Sequence, residues 1–243
     1  IDDLAKVDYS LNTLPAVFQP FIDLDLKGIV YPAGNYSGPP YVAAPFTIPD
    51  QSDSMLYLAL SEYFFQTFSF AYYTAGAFNI TIAEEAKFGK LLYLFFFFLQ
   101  TCSYFNISTE VFGSIIPEVS KYSVTPYPVM LKLMATEIPI ISLEQDSFTV
   151  DIQGSMEVFA VLPDSTTQSL FTMNIAANTS IALNIFDHKL MGSLCLNRLQ
   201  FSLAHSNVGF FEISLLENIL SYILQTEVIP SANAKLSKGF PLP

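Results

Sequence analysis

Charge is what this sequence has least of. Lys and Arg together number 10 and Asp and Glu 22 in 243 residues, which is 13% charged against roughly 25% in an average soluble domain. Ten cations in a chain of net charge −12 form no basic run, which excludes recognition of nucleic acid through its phosphates and strong attraction to anionic lipid surfaces. There is no Trp and there are two Cys. Cys102 and Cys195 cannot define a disulfide framework, and no Cys-x-x-Cys exists for zinc or redox work. Either they pair with each other or they are two thiols behaving as small hydrophobes. The only two histidines, His188 and His205, have no second ligand at metal spacing. Phosphate-binding glycine loops, G-x-S-x-G elbows and paired acid/base carboxylates are missing, and Glu84-Glu85 reads as a solvated pair. No enzyme, metal or cofactor is therefore expected. The apolar run from Leu91 to Leu99 is nine residues, too short for the about 20 that cross a bilayer, so no transmembrane segment is expected either.

What is present is apolar surface. Hydrophobic residues make up 51%, with 23 Phe and 13 Tyr, enough to exclude disorder. A water-soluble chain of this kind has either a very large core or an apolar cavity. Four N-x-Ser/Thr sequons, at Asn35, Asn79, Asn106 and Asn178, exceed the roughly two expected by chance and point to a secreted, glycosylated protein. The chain starts at Ile1 with no basic, apolar and small-residue leader, as expected of a mature fragment or an excised domain.

Hydrophobic periodicity divides the chain. Ile22, Leu24 and Leu26 alternate with Asp23, Asp25 and Lys27, a half-buried strand. Pro32, Pro39, Pro40, Pro45 and Pro49 then mark a surface loop containing Asn35. Met55 to Leu60 reads as a short strand. Ser61 is a plausible N-cap for a helix over 62–75 that is apolar nearly all round, and Gly76 a C-terminal cap. Strand character resumes at 77–82. From 127 onward a β-meander is expected. Phe148, Val150 and Ile152 alternate with polar residues, an apolar strand runs from Met156 to Leu162, and Pro163-Asp164-Ser165 turns the chain. Further strands read at 169–176, 180–186, 189–196 and 198–204, with Asp187-His188 as a hairpin loop. Leu216, Ile219, Leu220 and Ile223 form one stripe of an amphipathic helix over 213–225. Pro230 interrupts the pattern, and a last helical stretch ends at Gly239. Strand, helix, many strands, helix is an α+β order. By the residues alone, the interior is either a packed core, the commoner outcome, or a cavity.

Several co-linear segments tip that balance. Met55-Leu-Tyr-Leu-Ala-Leu-Ser-Glu-Tyr-Phe-Phe65 with Ala75-Gly76, and Val158-Phe-Ala-Val-Leu-Pro163, are two of them. Others are Leu196-Asn-Arg-Leu199, His205-Ser-Asn-Val-Gly209, Glu217-Asn-Ile-Leu220 with Ile229-Pro230, and Asn233-Ala-Lys-Leu-Ser-Lys-Gly-Phe-Pro-Leu-Pro243. Together they resemble the C-terminal half of the bactericidal/permeability-increasing protein and lipopolysaccharide-binding protein family, from about residue 7 to 243. Met134-Ala-Thr-Glu137 and the closing Asn-Ala-Lys-Leu are most similar to its BPI fold-containing family C branch. The resemblance implies a tubular lipid-binding fold, a long twisted antiparallel β-sheet wrapped around a long helix with a second helix beside it. It implies residues 1–20 as the lead-in from a central sheet and 21–243 as the C-terminal domain. The chain's partners would be phospholipid or another acyl lipid and the N-terminal half of the same protein. The alternative function is a packed, ligand-free domain that docks a partner or receptor. An acyl groove between the two helices would be lined by Phe64, Phe68, Ala71, Tyr72, Leu216, Ile219, Leu220 and Ile223. Residues 87–104 match nothing in the family pattern and read as a dispensable apolar insertion, and with them stands or falls any Cys102–Cys195 disulfide.

Overall fold

The computed structural model describes residues 3–34, 38–48, 53, 55–82, 108–120, 125–144 and 147–241. Segment 87–104, Cys102 and the sequons at Asn35 and Asn106 lie outside the described residues. The chain forms two compact units, Ile1–Ala77 and Phe78–Pro243.

In the first unit, β1 (Ala5–Asp8) pairs antiparallel with β4 (Ile29–Pro32), Ala5 opposite Pro32 and Asp8 opposite Ile29. Two-residue strands β2 (Ala16–Val17) and β3 (Ile22–Asp23) form a small ribbon of their own. Helix α1 spans Glu62–Thr74, and Ser61 caps it as expected: its backbone is extended and its hydroxyl accepts the Phe64 N–H at 3.3 Å. Gly76, at φ +74°, ends it in the left-handed conformation that glycine adopts without strain. The Thr67 hydroxyl, fully buried, accepts the Val30 amide at 3.1 Å and donates to the Phe64 carbonyl at 2.9 Å, tying α1 to β4. The expected strand over Met55 to Leu60 does not form. These residues are irregular and mostly exposed, since an apolar run becomes a strand only where a neighbouring edge accepts its backbone bonds.

The second unit is built on a seven-stranded antiparallel sheet in the order β11-β10-β9-β8-β6-β5, with β7 also paired to β8. Its strands are β5 (Asn79–Ile82), β6 (Val129–Ala135), β7 (Ile140–Glu144), β8 (Ser147–Val161), β9 (Thr167–Phe186), β10 (Lys189–Ser206) and β11 (Phe240–Pro241). The separate strands read at 169–176 and 180–186 are one 20-residue strand, and those at 189–196 and 198–204 one 18-residue strand. Polar residues inside them look like breaks in sequence. Here, Thr179 apart, they sit on the sheet's outer face or in bulges, at Leu196/Arg198 and Leu203/His205. The β8–β9 turn follows Pro163-Asp164-Ser165, where Asp164 accepts the Thr166 amide at 3.0 Å and hydroxyl at 2.6 Å. The Asp187-His188 hairpin has φ of 50° and 57°, the double positive φ of a tight hairpin turn.

Helices α2 (Thr109–Ile115) and α3 (Pro117–Ser120) precede β6, and α4 (Ser214–Ile223) follows β10. A π-helical turn, Leu224–Val228, then leads into α5 (Ile229–Leu236). Pro230 lies just beyond the π-helical turn, so the helical run from Ser214 to Leu236 continues past it with its irregularity in the turn before the proline. The core gathers Phe112, Ile116 and Val119 from the short helices, Val129, Met156, Val158, Ala160, Leu170, Phe171 and Met173 from the sheet, and Phe211 and Leu216. The Phe171 ring meets those of Phe112 and Phe211 edge-on at 6.0 and 5.1 Å, the packing geometry aromatic rings favour. The chain is thus α+β with one long antiparallel sheet, as the sequence implied.

Candidate functional site

Alternation along the three long strands makes one face of the sheet almost wholly apolar. Register places Met156 beside Met173, Ile152 beside Ala177 and Val150 beside Thr179. On the other side of β9, Leu203 pairs with Met173, Phe201 with Ile175, Leu199 with Ala177, Leu196 with Thr179 and Leu194 with Ile181. Residues 196 and 199 share a face despite their odd spacing because the bulge between them absorbs one residue.

The packed core closes one end of this inner face. Met156 and Met173 are buried under the helical cluster. Ile152, Ile175, Ala177, Ile181, Leu194, Leu196 and Leu199 are half-buried, while the paired Val150 and Thr179 among them are buried. Among the described residues the core therefore stops partway along the sheet, leaving an apolar surface several strand residues long. No titratable side chain stands on it, and the Thr179 hydroxyl is satisfied by the Val150 carbonyl at 3.3 Å. Such a surface gains by covering hydrocarbon, at about 25 cal/mol per Å², and has no means of doing acid–base chemistry.

The outer face has the opposite character. Asn178 donates to Asp151 at 2.7 Å and accepts from Asn197 at 2.7 Å, and Ser180 donates to Asn197 at 3.1 Å, a polar row over three strands. An open hollow of about 770 Å³ lined by Gln153, Asn174, Gln200 and Ser202 lies on this side. A second, of about 420 Å³, is walled by Pro126, Tyr127, Pro128 and Pro163 near the β8–β9 turn.

Among the described residues the carboxylates with lowered pKa lie at the end of β1 and in surface turns. Asp8 is held below the ordinary carboxylate value by Ser10 and, less strongly, by Lys27, Asp53 by the Tyr57 hydroxyl, and Asp164 by Thr166. Among the described residues no group of three His, Cys, Asp or Glu side chains is placed to hold a metal, and no helix is long and apolar enough to cross a membrane.

The residues expected to line a groove divide by environment. Ala71 and Tyr72 on α1 are 0% and 4% exposed, while Phe64 and Phe68 are half-buried, Phe68 lying against Tyr72 with ring centroids 4.4 Å apart. On α4, Leu216 is 2% exposed within the core, Leu220 packs against that core, and Ile219 is half-buried. Ile223 is the last residue of α4. Asn79 is exposed on β5 and Asn178 half-buried on β9. The sheet-face residues were not singled out from sequence, although Leu194 and Leu196 alternate with the exposed Ser193, Cys195 and Asn197 and carried that signal.

Comparison with known proteins fits this architecture. The sequence model described as LBP / BPI / CETP family, C-terminal domain, matches residues 1–243. The human BPI fold-containing family C protein is 38% identical over 242 residues, covering 100% of this chain and 45% of that protein. A bactericidal permeability-increasing protein from Sebastes schlegelii is 30% identical over 246 residues, covering 100% of this chain and 49% of its own. A crystal structure of lipopolysaccharide binding protein shares the fold at TM-score 0.59 and 23% identity, covering all of this chain and 50% of its own. The chain thus spans about half the length of the curated relatives it matches, and it belongs to the LBP/BPI/CETP family, as its C-terminal domain.

Proposed function

We propose that this domain binds the acyl chains of a phospholipid or similar lipid on the inner face of its long sheet, as half of a secreted lipid-binding or lipid-transfer protein of innate immunity. The observation that carries the reading is the half-buried apolar surface from Ile152 and Ile175 to Leu194, which runs on from the packed core on either side of the buried Val150–Thr179 pair. Each CH₂ removed from water there is worth about 0.8 kcal/mol, so an uncharged face suffices. Ile219 and Leu220 of α4 are further candidate contacts.

A direct action on the phosphates of bacterial endotoxin is not supported, since net charge −12 leaves few cations for charge-assisted phosphate bonds. The proposed partner is the N-terminal half of the same protein. In its favour, Leu14, Val17, Phe18, Phe21, Ile22 and Leu24 of the first unit are each more than half exposed, and large apolar side chains concentrated in so short a stretch mark a surface that a partner covers. The sequons support secretion with N-linked glycan: Asn79 is exposed on β5 and Asn35 and Asn106 are the other proposed acceptors, whereas the Asn178 amide is engaged within the sheet.

Purification of the full-length protein from a eukaryotic secreting host, followed by organic extraction and mass spectrometry, tests the reading. About one acyl lipid per protein is expected. Lipid-free protein that also gains none from phosphatidylcholine vesicles would leave the packed docking domain as the better account.

A further inference from the structure

Strand β10 is the last long strand of the sheet. It bonds to β9 along its length, but among the described residues β11 covers only Lys189 and Leu190 on its other edge. Beyond that the edge is met by side chains from the helices. The Asn233 amide of α5 makes a two-bond clip on one residue: Oδ1 accepts the Leu194 N–H at 2.7 Å and Nδ2 donates to the Leu194 carbonyl at 2.9 Å. Farther along, the Glu217 carboxylate of α4 accepts the Phe201 N–H at 3.3 Å. An amide presents donor and acceptor together, as a neighbouring strand would.

The two helices are held differently. Leu216 anchors α4 in the core. Helix α5 is buried at Ala232 and lies along β10, joined to α4 through the π-helical turn Leu224–Val228. Such turns are rare and mark places where a helix changes direction. Leu194, the clipped residue, lies on the inner face opposite Ile181, among the half-buried residues beyond the core.

Taking the acyl-chain reading as its basis, we propose that α5 is a strap at the open end of the apolar face, latched to β10 by Asn233 and pivoting at the π-helical turn, and that unlatching it admits the lipid. The latch sits at the end of the face that the core leaves open. Release exposes the Leu194 backbone to water, which can replace both bonds, so the latch is reversible.

A disulfide locks the strap. A Cβ built on Gly192 stands 3.8 Å from the Leu236 Cβ, the mean Cβ separation of disulfides at about 3.8 Å. In the full-length protein carrying Gly192→Cys and Leu236→Cys, non-reducing peptide mapping verifies that the new pair forms rather than a bond to Cys195. Uptake of fluorescent phosphatidylcholine from self-quenched phosphatidylcholine vesicles is then followed. Oxidised protein should take up lipid about tenfold more slowly or worse, because the open state is removed, and dithiothreitol should restore the wild-type rate in the same sample. Asn233→Leu should speed uptake and raise hydrogen exchange at the Leu194 amide. Uptake by the oxidised pair at the wild-type rate overturns the strap while leaving the lipid face standing. Absence of uptake by wild-type protein overturns the lipid reading beneath it.

Discussion

Leu216 and Leu196 are both leucines on apolar stripes, and they differ in what covers them. Leu216 is enclosed by the aromatic cluster around Phe171, so Leu216→Ala leaves a cavity and should cost about 2–5 kcal/mol in denaturant unfolding. Leu196 is half-open on the sheet face, so Leu196→Trp should leave the unfolding midpoint near wild type while reducing bound lipid. A loss of stability at Leu196 as large as at Leu216 would mean the face is closed. The sequons divide in the same way. Asn178 uses both ends of its amide within the sheet, bonded to Asp151 and Asn197, while Asn79 is exposed on β5. Glycopeptide mapping of secreted protein should find Asn79 occupied and Asn178 bare. Period 3.6 made the helical residues visible in sequence, Leu216 and Leu220 among them. It could not say whether their partner is protein or ligand, because both select leucine.

At the scale of elements, caps and turns were legible and strand continuity was not. Ser61, Gly76, the Pro163-Asp164-Ser165 turn and the Asp187-His188 hairpin act through bonds to their immediate neighbours, so local chemistry revealed them. The joining of residues 167–186 into one strand depends on pairing with strands on both sides, which no window of sequence contains. Met55 to Leu60 shows the converse, an apolar run with strand-like composition and no paired edge among the described residues. Close approach between strands gives a test at Gly154, where β8 crosses the end of β6. A Cβ there would stand 2.9 Å from the Met134 carbonyl oxygen, so Gly154→Ala should destabilise by about 1–3 kcal/mol in thermal or denaturant unfolding. At the other end of β9, His188 holds a φ of +57° that glycine adopts more readily. His188→Gly should therefore stabilise, by about 0.5–1 kcal/mol, and a lowered melting temperature would show that its side chain is needed.

For the whole molecule, composition and architecture point the same way. The charge deficit and the 51% apolar content are reconciled by two kinds of uncovered surface, one on the first unit and one on the inner face of the sheet. The fold class and family were readable because co-linear segments are spread along the chain. The location of the face was not, because it arises from the pairing register and bulges of three long consecutive strands and from a core that ends partway along them. The most direct test of that face is photo-crosslinking in the full-length protein, with a phosphatidylcholine carrying a diazirine in its acyl chain and peptide-level mapping of adducts. Adducts should fall on β8, β9 and β10 at Ile152, Ile175, Ile181, Leu194, Leu196 and Leu199. Labelling that spares these six positions, whether it falls elsewhere in the protein or nowhere, would contradict the assignment of the sheet's inner face as the lipid site.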